Sequence, residues 1–563
     1  MFKLLLLTAG LSISPAILAA DMNTDAVMTA LTKELDRSFK GFKNAESVPL
    51  HYLAYEVTES KTYYLGSTMG AINSDSDYAN RKLDIDLRVN TPELDNTHQV
   101  KGDYSWASQS QPLNLPLAVD DDVDALRARI WEYTDKAYKK AQENFTKVKM
   151  NKAVTAQEDD PSPDFSPSKP EVFYETVTLP ELDKKVWREK LNRFSARFAD
   201  APFIYDSGVS LTAENENRYI VNSEGSRIKT GNNYITLSFS LISRTTDGME
   251  ISRGEQYNTA SYAELPSDEK VMADITRSIA ELKALKDAPV VEPYHGPAIL
   301  KARAAAVYFH EIIGHRLEGH RQKLEEEGQT FAKKLNQKVT SDILTVYDDP
   351  NIKDFRGHSL RGYYKYDDEG VRSGRASLIE NGVLKGFLMS RSPIRDFTAS
   401  NGHGRHSTGL PVVSRMGNTM VEASKTVSYG ELRRQLIEEC KKQNKPFGLV
   451  FDDISGGFTN TARGGSQSFK VLPLLVYRVY TDGRPDEVVR GVDIVGTPIA
   501  SLSKIVAAAD DPDIFNGTCG AESGWVPVSA VSPSLLLSEM EVEKSPKSQE
   551  KPPVLPPPLH DDK

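Results

Sequence analysis

Two histidines and a glutamate sit within six residues, His310-Glu311-Ile312-Ile313-Gly314-His315, directly after an apolar, alanine-rich run. Imidazole nitrogens are zinc ligands, and a carboxylate beside the first is placed to deprotonate a water whose pKa the metal lowers to about 7. In the ordinary H-E-x-x-H pattern the ligands stand about 40° apart around a helix. Here the second histidine comes one residue later, roughly 140° around a regular helix, where both imidazoles would not reach one ion. The spacing therefore predicts a π-bulge, a known device at functional sites, with Gly314 tolerating the distorted backbone before His315. The alternative is a surface His315 where the helix frays at Gly314.

The chain has 563 residues, 39% hydrophobic and 26% charged. That is enough for two to four domains of a soluble protein, and no internal apolar stretch approaches the roughly 20 residues of a membrane span. A formal charge of -10 disfavours nucleic acid, whose phosphates need a basic surface. Residues 1–20 read as a secretory signal peptide: Lys3, then Leu4 to Leu7 and an apolar run ending in Leu18-Ala19-Ala20 before Asp21. The expectation is a periplasmic or secreted protein with no stable membrane span once the signal is removed.

The two cysteines leave a disulfide open in an oxidising compartment. Cys440 follows a helical pattern from Glu431, whereas Cys519 lies in the turn-like Asn516-Gly517-Thr518-Cys519-Gly520, where glycines let the backbone approach a metal.

Hydrophobic periodicity predicts helices over 122–150, 182–199 and 268–285, and short strands over 218–222 and 235–240. Between the first two helices, 158–170 carries four prolines and an acidic cluster, the composition of an exposed loop or linker. Beyond about 336 the texture is strand-rich, with a hairpin on Asn381-Gly382 and a turn at Asp482-Gly483. The reading is α+β: a signal peptide (1–20), a mixed domain (21–292), a strand-rich domain opened by the metal-binding helix (293–543) and a disordered tail (544–563).

Further tokens occur in a fixed order: Leu317-Glu318-Gly319, Asp367-Asp368-Glu369-Gly370, Pro411 to Thr419, Arg490-Gly491, Val495-Gly496-Thr497-Pro498 and Gly517-Thr518-Cys519-Gly520. Together with the histidine motif they resemble the TldD/PmbA family of bacterial metalloproteases over roughly 179–542. The resemblance implies Zn2+ held by His310, His315 and Cys519, and Glu311 as general base in hydrolysis of peptides or unfolded proteins. It also implies pairing as a homodimer or as a heterodimer with a paralogue. His403, Arg405 and His406 are candidates for contact with substrate. His320 departs from the family's usual acidic residue and reads as an outer-sphere or surface group. Two other readings stand beside this one. One is a non-catalytic peptide-binding or assembly subunit of such a complex, against which the retained ligand set argues. The other is a dipeptidyl-peptidase III-like exopeptidase, in which Glu438-Glu439-Cys440 would supply a carboxylate ligand.

Overall fold

The computed structural model describes residues 22, 24–100, 113–154, 160–324, 326–546 and 553. Residues 1–20, read above as a signal peptide, lie outside them, as does nearly all of the expected tail. No helix among the described residues is long and apolar enough to cross a membrane.

Alternation of side chains along extended backbone builds the first sheet. In Asp206–Asn222, Val209, Leu211 and Ala213 are buried on one face, while Thr212, Glu214, Glu216 and Arg218 point to the other. The same two-sidedness runs through an eight-stranded sheet ordered Leu94–Asp95, Ala71–Thr91, Leu50–Thr68, Asp206–Asn222, Arg227–Arg244 and Val172–Tyr174. Leu115–Pro116 and Glu250–Thr259 add at its flanks. Its central strands are 17 to 21 residues long, several times the usual five or six, and pair antiparallel. Four helices cover the apolar face. Ala26–Phe42 and Val123–Val154 pack over Tyr55, Val57, Leu83 and Ile85; Lys184–Ala196 and Asp268–Asp287 pack over Leu65, Leu211 and Leu237. Side-chain caps fix three of their starts, with Asp25, Asp183 and Ser267 accepting from backbone N–H groups in the first turn. The opposite face stays polar.

The remainder builds two sheets. Phe447–Thr459, Tyr294–Leu300, Leu535–Lys544, Val492–Gly496 and Phe469–Tyr480 pair in turn, and the last returns to the first, closing a barrel. Lys544, the first residue of the expected tail, pairs with Val492 in this barrel. A six-stranded sheet is ordered Val383–Leu384, Ala376–Glu380, Leu344–Asp348, Asn418–Ala423, Gly524–Ser532 and Asp513–Ala521, which leaves Asp513–Ala521 as an edge. Between barrel and sheet lies the helix Ala302–Phe309, whose alanines let both approach closely; its apolar side chains join the two in one core.

The proline-rich segment is not the exposed linker its composition predicts. Residues 155–159 lie outside the described chain, but Asp164, Phe165 and Ser166 are buried. The Phe165 ring lies 4.6 Å from that of Tyr52, with the guanidinium carbons of Arg88 and Arg391 4.0 and 4.1 Å from its centroid. Arg391, fully buried, donates to Ser166 O and Glu224 Oε1. Prolines and acids mark a chain without regular structure, yet one aromatic anchor suffices to bury it. Phe165→Ala should cost about 3 kcal/mol or more, seen as a lowered urea midpoint, whereas Val172→Ala at an exposed site (63% accessible) should leave it near the native value.

Candidate metal centre

The helix Ala302–Phe309 passes without interruption into a π-turn over His310–Gly314. The His315 N–H donates to His310 O, the i to i+5 bond that gives a π-turn its extra residue. The expected bulge is there. Gly314 serves a different purpose from the one the sequence suggested: its φ of -49° is open to any residue. A Cβ there would stand 2.0 Å from Met416 Sδ, so the glycine gives the turn clearance against its neighbour.

The turn places His310 Nε2 3.2 Å and His315 Nε2 3.3 Å from Cys519 Sγ. All three donor atoms lie within 4.8 Å of one another and all three residues are buried. Donors at about 2.0 and 2.3 Å from a tetrahedral zinc stand about 3.5 Å apart, so this nitrogen and sulfur set suits that ion. Cys519 belongs to the edge strand Asp513–Ala521, not to the turn its glycines suggested.

Charge at this site is held in register by a buried network. Burial opposes the Cys519 thiolate, but His315, His310 and Arg415 outweigh it and keep the thiol well below its usual range. Burial would likewise lower both imidazoles, yet the thiolate raises them, and Glu318 adds to this at His315. Without metal the three groups thus hold their charges against one another. A divalent ion takes the place of the protons, so its binding releases them. Glu318 Oε2 lies 3.4 Å from His315 Nδ1 and accepts from Arg321 Nε at 2.9 Å; Arg415 Nε lies 3.2 Å from its other oxygen. Burial opposes this carboxylate as well, but His315, Arg321 and Arg415 bring it down to about 2. A carboxylate behind the imidazole leaves Nε2 free toward the ion. Arg415 also donates to Cys519 O at 2.7 Å, and Arg321 to Glu522 at 2.6 Å.

Glu311 is buried, and its Oε2 has no hydrogen-bond partner among the described residues. Burial raises its carboxyl above the ordinary value against the pull of His310 and His315. It lines the same cleft as the three ligand candidates, a space of about 490 Å³. One wall is Ser455 to Thr459 of the barrel strand, the other the edge strand around Thr518 to Ala521, with Phe458 and Trp525 largely exposed at 57% and 69%. A Cβ at Gly457 would stand 2.7 Å from Glu311 Cγ, so this glycine makes room for the glutamate.

The remaining sequence candidates lie elsewhere. His403 is buried against Asp348 and Asn401; Arg405 donates to Met416 O and Pro527 O over the Tyr364 ring; His406 bridges Glu56 and Leu410 O. Burial opposes protonation of His406, but Glu56 raises it to about 10. None of the three lines the metal cleft itself, but Arg405 and His406 line a neighbouring cavity that shares Thr518 and Trp525 with it. Glu438 and Glu439 lie on the helix Tyr429–Lys442, where they pair with Arg434 and Lys442, and they do not line the cleft either. His320 is buried and pairs with Glu522. Cys440 is a free thiol in a separate apolar cluster, pushed up to about 11 by burial. Sequence reasoning assigned no role to Glu318, Arg321, Arg415, Glu522 or Gly457. Only Glu318, three residues after His315 and so on its side of a helix, carried a local signal.

Residues 293–544 match the PmbA/TldA metallopeptidase C-terminal domain. The C-terminal domain of the chain belongs to the TldD/PmbA family. It is 31% identical to a metalloprotease from Archaeoglobus fulgidus over 42% of this chain and 51% of that one. To a metalloprotease TldD homolog from Haemophilus influenzae it is 30% identical, over 44% of this chain and 48% of that one. The matched stretch thus spans about half the length of these relatives. The fold is also that of TldE from Thermococcus kodakarensis, with a TM-score of 0.57, 15% identity, and coverage of 91% of this chain and 100% of that one. Within this family fold, Cys519→Ser should lower zinc content per chain while Cys440→Ser leaves it unchanged, measured by elemental analysis of purified protein.

Proposed function

We propose that this protein is a zinc-dependent peptidase that hydrolyses peptides or unfolded proteins, with His310, His315 and Cys519 as ligands and Glu311 as general base. The observation that carries the reading is the convergence of two imidazoles and a thiolate beside a buried carboxylate with an unpartnered oxygen, all facing one cleft. A zinc ion held by that set supplies Lewis acidity, which polarises a peptide carbonyl and makes water easier to deprotonate. Glu311 takes the proton from the attacking water and delivers it to the leaving amine, and its raised basicity suits both transfers. Glu318 and Arg415 act on the ligands, orienting His315 and bracing the Cys519 backbone.

The walls favour an extended substrate. Beyond Phe451 the strand Phe447–Thr459 pairs only with Phe469–Tyr480 among the described residues, so its other edge is open along Ser455 to Thr459. Across the cleft, Asp513–Ala521 is an edge strand. A peptide backbone adds to such edges with little regard to side-chain identity, and a folded chain does not offer one. The site of action is proposed to be the periplasm or beyond, on the signal-like segment 1–20, and the working form a homodimer or a pair with a paralogue.

Glu311→Gln is expected to retain zinc while losing at least about 10²-fold in the hydrolysis rate of an unstructured peptide; an unchanged rate in the zinc-loaded variant removes Glu311 from the mechanism. Chelation should abolish hydrolysis and open Cys519 to alkylation, read by mass spectrometry, with both reversed on adding zinc.

A further inference from the structure

The metal cleft does not end at the ligands. Thr518 and Trp525 also line a second cavity of about 470 Å³, which runs over the polar face of the eight-stranded sheet past Glu214, Glu216 and Arg218. That space adjoins a third, of about 300 Å³, and the two share Arg361, Tyr234 and Asn232.

Arg361 is the unusual group on this route. Its Nη1 donates to Thr236 Oγ1 at 3.1 Å and Asn258 Oδ1 at 2.7 Å, both neutral acceptors. Its buried Nε has no hydrogen-bond partner among the described residues, and its side-chain acceptors there are neutral. Burial presses its pKa down, with Tyr234 and Glu214 opposing. The other arginines on the route are differently placed. Arg218 is committed to Glu56, Glu216 and Asp368, and Arg405 to two backbone carbonyls. Glu214, the nearest acid by its electrostatic influence, is held above its ordinary value by burial and by Glu216, against Arg361 and Arg218. A half-buried guanidinium over the Tyr234 ring, with its Nε donor unused and no carboxylate paired to it among the described residues, is better satisfied when an anion completes it.

Its position is fixed relative to the metal ligands. The Arg361 N–H is bonded by Asn516 Oδ1 at 3.2 Å and Ser529 Oγ at 2.7 Å, on the same two strands that form the Cys519 hairpin. Asn516 precedes Cys519 by three residues, about 10 Å along an extended strand. A peptide lying along that edge therefore reaches the guanidinium some three to five residues from the bond at the metal.

We propose that Arg361 is a specificity-determining subsite that takes a substrate carboxylate, either the peptide's C-terminal group or an acidic side chain, at that distance from the scissile bond. The proposal rests on the peptidase reading above. On the wall beyond Arg361, Lys365 is paired with Glu175, while Lys353 adds positive charge for the same group.

The test compares zinc-loaded native protein with Arg361→Gln on matched unstructured peptides. One arm contrasts a free C-terminal carboxylate with its amide; the other scans glutamate against glutamine along the amidated peptide. The native protein should prefer the anionic member of one arm by about tenfold or more, mainly through KM, and the arm that responds names the source of the carboxylate. Arg361→Gln, with native zinc content, should bring that ratio near one, and Arg361→Lys should restore part of it. A ratio unchanged by Arg361→Gln, or no anionic preference in either arm, overturns the subsite. Should Arg361→Gln not fold, Arg361→Lys decides, a ratio equal to the native one counting against the proposal. If native protein cuts no peptide, the peptidase reading falls. Anisotropy of the same labelled peptides then judges the subsite: tighter binding of the anionic member by native protein than by the variant sustains it, and equal binding rejects it.

Discussion

One backbone hydrogen bond, from the His315 N–H to His310 O, decides whether this protein has a site at all. An α-helical turn at this point would send the two imidazoles to different sides of the helix. A π-turn costs helix geometry and is rare, so something must hold it. Here it is enclosed by the single core that joins barrel, helix and six-stranded sheet, with Met416 seated where a Gly314 side chain would be. Past the turn, the Gly319 N–H donates to Leu388 O and the Leu388 N–H to Leu317 O. The chain is thus clamped where it leaves the turn.

Electrostatics supply the second constraint. A thiolate, two imidazoles and two glutamates within one buried region would repel or neutralise one another if left alone. Arg321 and Arg415 prevent this by pairing with Glu318, while Arg415 also spans to the Cys519 carbonyl. The arrangement keeps Glu318 ionised and Glu311 more basic, two carboxyls seven residues apart with opposite shifts. Environment separates them: Glu318 faces three cationic groups, whereas Glu311 faces the cleft with one oxygen unpaired. Such a split suits one group to orient a ligand and the other to carry a proton.

Much of this was legible because it is local. The i, i+5 spacing of His310 and His315 dictates a bulge by helix geometry alone, and the periodic stretches 122–150, 182–199 and 268–285 became the helices Val123–Val154, Lys184–Ala196 and Asp268–Asp287. What failed was non-local. Strand patches at 218–222 and 235–240 are pieces of strands three times as long, because partner strands and four covering helices override weak residues between them. The turn composition around Cys519 gave way to pairing with Gly524–Ser532. Phe165 drew a proline-rich segment inward because Tyr52 and Arg88 on two strands and Arg391 in a loop surround its ring. His403, Arg405 and His406 read as a loop reaching for substrate; Asp348 and Glu56, distant in sequence, bury His403 and pair with His406, while Arg405 and His406 still line the cavity that adjoins the cleft at Thr518 and Trp525.

The same distinction explains how the two halves of the molecule depend on each other. The eight-stranded sheet has a dry face that its helices require and a wet face that its own folding does not. Strands of 17 to 21 residues carry that wet face across to the metal hairpin, where Thr518 and Trp525 meet it. The same strands carry both helix-covered cores, Tyr55, Val57 and Tyr219 in one and Tyr63, Leu65 and Leu211 in the other, so their length serves all four helices. The same length turns a cleft of about 490 Å³ into the mouth of a longer polar route. Its walls are bare strand edges near the metal and fixed charges farther out. On the proposed reading, such a surface would recognise backbone near the ligand set, which every extended chain presents, and charge farther away, which only some chains place correctly.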